Sequence, residues 1–255
     1  MTDSPEAAQT SRKRRWKIPV LVIAVLVVIG AGGIYWLFGG DPPAEVDIEA
    51  TASAVAGEAD DDSEEPAIAS EGVDGEWAVD LTIGEFSITE EATSTFVGFR
   101  VDEELSLGET TAVGRSPDVS GSIVIEGNTL QSADITVDLT AIVSDQSRRD
   151  NSIQEALGTE ANPEATFTLT EAIDLDPAAA DGATVSAPVT GELTINGVTN
   201  EVVVALDAQL VDGSILVTGS TEVLFEDYGV SAPTAPMVVS VEDHAIVEFQ
   251  LWLSR

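Results

Sequence analysis

The sequence predicts an all-β domain, an eight-stranded antiparallel barrel with one short helix, preceded by a single transmembrane helix. Three observations carry this prediction. Between residues 76 and 255 apolar and polar side chains alternate with a period of two, the mark of strands with one buried face. Turn signals, among them Asn196-Gly197 and Asp212-Gly213, punctuate the alternation, and Asn-Gly suits a type I′ hairpin because both central residues need positive φ. Ahead of all this, Ile18 opens and Phe38 closes a run, 18–38, without a single charge.

Taken in order, the strands are read from residues that share a face. Val97, Phe99 and Val101 come first, then Ile123 and Ile125, then Ile135, Val137 and Leu139. Phe167 and Leu169 alternate with threonines, and Leu193 and Ile195 alternate with Glu192 and Thr194. Val202, Val204 and Leu206 follow, then Ile215, Val217, Val223 and Phe225, and last Ala245, Val247, Phe249, Leu251 and Leu253. Glu126-Gly127-Asn128 and Asp181-Gly182 supply further turns, and residues 152–157 are the one short helix. About eight meandering strands suit a closed barrel, because closure removes exposed edges. Such a barrel either fills with its own side chains or holds one small ligand, and periodicity does not choose between them.

The 255 residues carry 46 acids and ten basic residues, a net charge of −36. This excludes duplex nucleic acid as a partner, since phosphate binding needs a basic surface, while 44% hydrophobic residues exclude wholesale disorder. Cysteine is absent, so disulfides, thiol nucleophiles and thiolate metal sites are excluded. Half of the basic residues, Arg12, Lys13, Arg14, Arg15 and Lys17, precede the uncharged run. About 20 apolar residues span a bilayer, and the basic cluster stays in the cytoplasm by the positive-inside rule. Trp16 at one end and Tyr35 and Trp36 at the other suit the headgroup layers. The expected localisation is a bacterial cell membrane, single-pass, with residues 1–17 a cytoplasmic tail and the barrel extracytoplasmic. A cleaved signal peptide is the competing reading, but the run exceeds the usual signal core. Residues 39–75, rich in acids and without aromatic or basic residues, read as a disordered acidic linker, and 76–255 as the barrel domain.

Five ordered blocks carry a family resemblance: Gly114-Arg115 with Ser120-Gly121-Ser122-Ile123; Ser144-Asp145-Gln146-Ser147; Arg148-Arg149-Asp150; Asn162-Pro163-Glu164-Ala165-Thr166-Phe167; and Gly191-Glu192-Leu193-Thr194-Ile195-Asn196-Gly197-Val198-Thr199. In order and spacing they resemble the YceI family across nearly all of 76–255. The resemblance implies a lipocalin-like barrel of the bacterial cell envelope, with an elongated apolar cavity for polyisoprenoid lipids such as prenyl pyrophosphates and quinones. Two departures stand out. Glu103 stands where the family often has a histidine after its F-x-V strand, and Ser152 falls where a second histidine is common, so contacts made by those histidines do not transfer.

An enzyme is not expected. The one histidine, His244, is out of phase with the inward Ala245, Val247 and Phe249, and no serine sits in a nucleophile-elbow motif beside it. Asp174, Asp176 and Asp181 read as a turn, because calcium-loop spacing fails, and no metal site is expected. No cofactor is required; a bound isoprenoid lipid or quinone is the expected ligand, with the membrane, reached through 18–38, as second partner and a homodimer compatible with the chain. The cavity residues are expected to be Val97, Phe99, Val101, Ile123, Ile125, Phe167, Leu169, Leu193, Ile195, Val217, Phe225, Val247 and Phe249. Arg148 and Arg149 are the headgroup candidates, since a guanidinium can accept a pyrophosphate or polarise a carbonyl, although pairing with Asp145 or Asp150 would explain them structurally. The barrel's 32 acids against five arginines, a net of −27, repel an anionic headgroup. The expected function is therefore sequestration or transport of a quinone-like isoprenoid rather than a prenyl pyrophosphate. The alternative is a ligand-free structural or interaction barrel.

Overall fold

A computed structural model describes residues 42–58, 72–106, 108–232 and 238–255. The expected anchor, 18–38, lies outside the described residues, and no helix among them is long and apolar enough to cross a membrane. Two α-helices occur among the described residues, α1 (Ile48–Glu58) and α2 (Ser147–Ala156). The strands are β1 (Gly75–Val79), β2 (Phe96–Leu105), β3 (Gly108–Ser116), β4 (Val119–Glu126), β5 (Thr129–Asp138), β6 (Val143–Ser144) and β7 (Glu164–Leu169). They continue with β8 (Ile173–Asp174), β9 (Val185–Ile195), β10 (Val198–Val211), β11 (Ser214–Leu224), β12 (Val238–Val241) and β13 (His244–Ser254).

All pairings are antiparallel, and the order β1-β4-β5-β7-β9-β10-β11-β13 closes on itself through β1, which pairs with β4 along one edge and β13 along the other. The number of strands is the expected eight, but β1, which the alternation does not single out, takes a place in the ring, while β2, which it does, lies beside β13 outside that closed order. β1 covers only one end of β13; towards the other end the same edge pairs with β2, which carries β3 and β12. The predicted hairpins form as two-residue turns. Ile195 pairs with Val198 around Asn196 (φ 51°) and Gly197 (φ 74°), and Val211 with Ser214 around Asp212 (φ 49°) and Gly213 (φ 86°), the positive φ pair that a type I′ turn demands. Asp181-Gly182 is instead the end of a 3-10 turn, with Asp176 accepting from the Ala178 N–H at its start. Leu139 and Phe225, read as strand residues, also begin 3-10 turns. The helix expected at 152–157 begins earlier, at Ser147.

The largest difference lies in the expected disordered linker. Residues 42–58 fold as a strap against the outer wall, and α1 starts at an Asp47 side chain that accepts the Ala50 N–H at 2.9 Å, an N-cap bond. Ile48, Ala52 and Val55 recur at helical spacing and pack on Leu216 and Trp252, side chains that point away from the lumen. Thr51 donates to the Gln250 Oε1 at 2.7 Å, and Gln250 donates to the Ala92 and Ser94 carbonyls. Beside them the buried Glu248 carboxylate accepts from Arg100 Nε at 2.7 Å and from Arg115 Nη2 at 2.9 Å. The Pro43 and Ala44 carbonyls accept from these same guanidiniums, so the strap supplies acceptors that the carboxylate cannot. Composition failed here because tertiary burial, not net charge, decides whether a short amphipathic segment orders.

Candidate functional site: an apolar cavity inside the barrel

The inward faces are set by alternation along each strand. On β2 and β13 the usual burial is inverted. Val97, Phe99, Val247 and Phe249 point inward yet are only half-buried, whereas the outward Phe96, Arg100, Glu248 and Gln250 are buried beneath the strap and the segment 80–95. Residues that face inward and still expose surface imply a space between them.

That space is a cavity of about 290 Å³, at the low end of small-molecule pockets. Three aromatic rings are kept out of it by glycines. A Cβ on Gly114 would lie 2.7 Å from the Phe99 ring, on Gly191 2.3 Å from the Phe167 ring, and on Gly219 2.6 Å from the Phe249 ring. Each ring therefore lies over a glycine of the neighbouring strand, against the wall. The same bulky residues without such seats would fill the lumen.

Twelve of the thirteen expected cavity residues border the space; Leu169 does not. It packs instead, half-buried, in the cluster around Leu130 and Ile173, because β7 ends there. Sequence reasoning missed Ala133, Ala165, Ala187 and Ala208, small inward residues that widen the bore, since alternation is read from large side chains. One end of the cavity is lined by Val73, Leu130, Ala179 and Leu210 and backed by Trp77, which is fully buried and donates its indole N–H to the Val73 carbonyl at 2.9 Å.

The opposite end carries charge. Arg149, from α2, borders the cavity and is the one cationic side chain to do so among the described residues. Its Nη2 lies 3.2 Å from Glu103 Oε2, and its Nη1 2.9 Å from Asp145 Oδ1. Glu103 also borders the space. Burial pushes both carboxyls up from their ordinary values, while the Arg149 charge pulls them back. Asp150 does not join them; it accepts the Ser144 N–H at 3.0 Å and hydroxyl at 2.6 Å. Of Arg148 only its backbone place in α2 is described. Tyr228 borders the cavity too, packed with Val101 and Ala245, and its buried hydroxyl has no hydrogen-bond partner. Burial pushes that phenol up, and the Asn200 side chain, which also donates to the Asp227 carbonyl at 2.8 Å, pulls it part of the way back.

A family model for the YceI-like domain matches residues 88–253. The chain belongs to this family. Among curated proteins, protein YceI of Escherichia coli is 29% identical over 135 residues, which are 50% of this chain and 62% of the relative. The chain thus spans less than two thirds of that YceI's length. Among solved structures, a polyisoprenoid-binding domain of Saccharophagus degradans aligns with a TM-score of 0.49 and 18% identity, over 63% of this chain and 93% of that domain. BcnA of Burkholderia cenocepacia aligns at 0.47 and 18%, over 62% and 95%.

For this YceI-like chain, catalytic geometry is not assembled around His244. It sits at the start of β13 with its Nδ1 3.3 Å from Asp243, and the surrounding Glu222, Glu242 and Asp243 are exposed. Glu242, Asp243 and His244 are the one group among the described residues that could gather round a metal ion, and the two acids are exposed at the surface.

Proposed function

We propose that this protein is a membrane-tethered, extracytoplasmic binding protein for an isoprenoid lipid, which it sequesters or transports, with a quinone-like ligand favoured over a prenyl pyrophosphate. The observation that carries the reading is the cavity of about 290 Å³, lined almost wholly by carbon and kept open by glycine-seated phenylalanines. A space walled by hydrocarbon gains most from a ligand that is itself hydrocarbon. Family membership supports the lipid class, and the relative from Saccharophagus degradans is itself a polyisoprenoid-binding domain. The net charge of −27 on residues 76–255, from 32 acids and five arginines, favours an uncharged headgroup. The uncharged run 18–38 behind its basic cluster supports the tether and the orientation.

Lipid extraction and mass spectrometry of the purified protein test this. A co-purifying quinone or other neutral isoprenoid is the expected result. Recovery of prenyl phosphates alone would overturn the headgroup preference, and recovery of no lipid, with no uptake of added isoprenoid, would favour the ligand-free structural barrel.

A further inference from the structure

We propose that Glu103 sets headgroup specificity: by holding Arg149 in an ion pair at the polar end of the cavity, it makes the site accept an isoprenoid alcohol or quinone and reject a pyrophosphate. The proposal rests on the isoprenoid-binding reading above and assigns it a residue. Its foundation is placement. Among the described residues Arg149 is the cationic side chain bordering the cavity, and both terminal nitrogens of its guanidinium are engaged, Nη2 by Glu103 at 3.2 Å and Nη1 by Asp145 at 2.9 Å. Two carboxylates around one guanidinium leave the cluster with a charge of −1 when all three are ionised. A pyrophosphate entering there must compete with two carboxylates already in place for the bidentate fork that makes arginine a phosphate ligand. It also meets a negative charge in a partly desolvated place, where screening is weak.

A neutral oxygen fares differently. An alcohol or a carbonyl brings no charge for the cluster to repel and needs no guanidinium fork, and beside the ion pair the cavity wall of Val101, Tyr228 and Ala245 is packed as an apolar cluster. Nor is the ion pair explained by stability. Burial is the larger influence on both Glu103 and Asp145 and pushes their carboxyls up, so the fold bears the desolvation of these charges without full recompense from Arg149.

The experiment compares farnesol with farnesyl pyrophosphate, which share a tail and differ in headgroup, on the full-length protein in one detergent, so that detergent competition cancels in the ratio. The wild type is expected to bind farnesol at least about tenfold more tightly. Glu103→Gln is expected to shift the ratio about tenfold or more toward the pyrophosphate, by tighter pyrophosphate binding at unchanged farnesol affinity. Glu103→Asp should keep the wild-type ratio. Asp145→Asn, which frees the other edge of the guanidinium, should shift it in the same direction as Glu103→Gln and serves if that variant folds poorly. A wild type that prefers the pyrophosphate, or a ratio that neither neutral variant moves while farnesol still binds, overturns the specificity role alone. Binding of neither ligand overturns the isoprenoid reading and this proposal with it.

Discussion

Replacing Glu248 by glutamine is expected to be among the most damaging single substitutions in the barrel wall, although Glu248 lies outside the cavity. Its carboxylate accepts from Arg100 Nε at 2.7 Å and from Arg115 Nε and Nη2 at 3.1 and 2.9 Å, and the glutamate and Arg115 side chains are each 2% exposed. Removing one partner of a buried ion pair strands the other, at a cost of about 3–5 kcal/mol. Here two guanidiniums are stranded side by side, so the upper part of that range is expected. For a domain of this size 1 kcal/mol moves the melting temperature by roughly 2–4 °C, so the upper part of the range, about 4–5 kcal/mol, makes the expected fall ~8–20 °C in a calorimetric melt at neutral pH. Replacing all three residues by methionine should recover only part of the loss. Apolar replacement of a whole triad is often neutral, but here it also leaves the Pro43 and Ala44 carbonyls without the arginine donors they have now. A fall of less than about 1 kcal/mol for Glu248→Gln would refute the reasoning, because it would mean that the triad is hydrated and the strap unseated.

Other outcomes follow from the same structure. Gly219→Ala should push the Phe249 ring off the wall, costing about 1–3 kcal/mol by overpacking and weakening isoprenoid uptake, measured by urea unfolding and by lipid titration; unchanged uptake would sink the idea that glycines keep the lumen open. Glu103→Gln should be at least as stable as wild type at neutral pH. The folded Glu103 carboxyl lies above its ordinary 4.5 because of burial, so the folded wild type takes up a proton before the unfolded chain does and gains stability as pH falls through that window, closing the gap to the variant. Unfolding curves between pH 3 and 7 read this, and a gap that widens on acidification contradicts it. The His244 imidazole should titrate above its ordinary 6.5, through its hydrogen bond to Asp243 and the charges of Glu222 and Glu242. Any stability it adds is present below 6.5 and lost as pH rises through the raised value; NMR titration should find the shift shrinking in salt.

The barrel was legible where large side chains alternate. Val97, Phe99 and Val101 announce β2, and Asn196-Gly197 fixes both a turn and the register of β9 on β10. β3 was hidden for a physical reason: its inward positions include Ala112 and Gly114, and Gly114 is small because Phe99 of the next strand lies on it. The strap was hidden by its setting. Its apolar spacing is present in Ile48, Ala52 and Val55, and its docking surface is signalled by Leu216 and Trp252, large apolar residues on the outward face of their strands. Neither signal decides anything until the fold brings α1 to within reach of the other. At the site, the apolar lining follows from alternation, but the pairing of Glu103 with Arg149, 46 residues apart, depends on how α2 sits over the barrel end, which no local pattern encodes.

The glycine-seated rings also bear on how a bound tail would be measured. A phenylalanine lying over a glycine presents its face, and ring faces offer a hydrocarbon chain no directional partner. Along Phe99, Phe167 and Phe249 a tail can therefore slide without preferring one isoprene register over the next. Chain length would then bear on binding chiefly at the end lined by Val73 and Ala179 and backed by Trp77. Reshaping Val73 or Ala179 should retune which chain length is held while leaving headgroup preference, set at the far end, untouched.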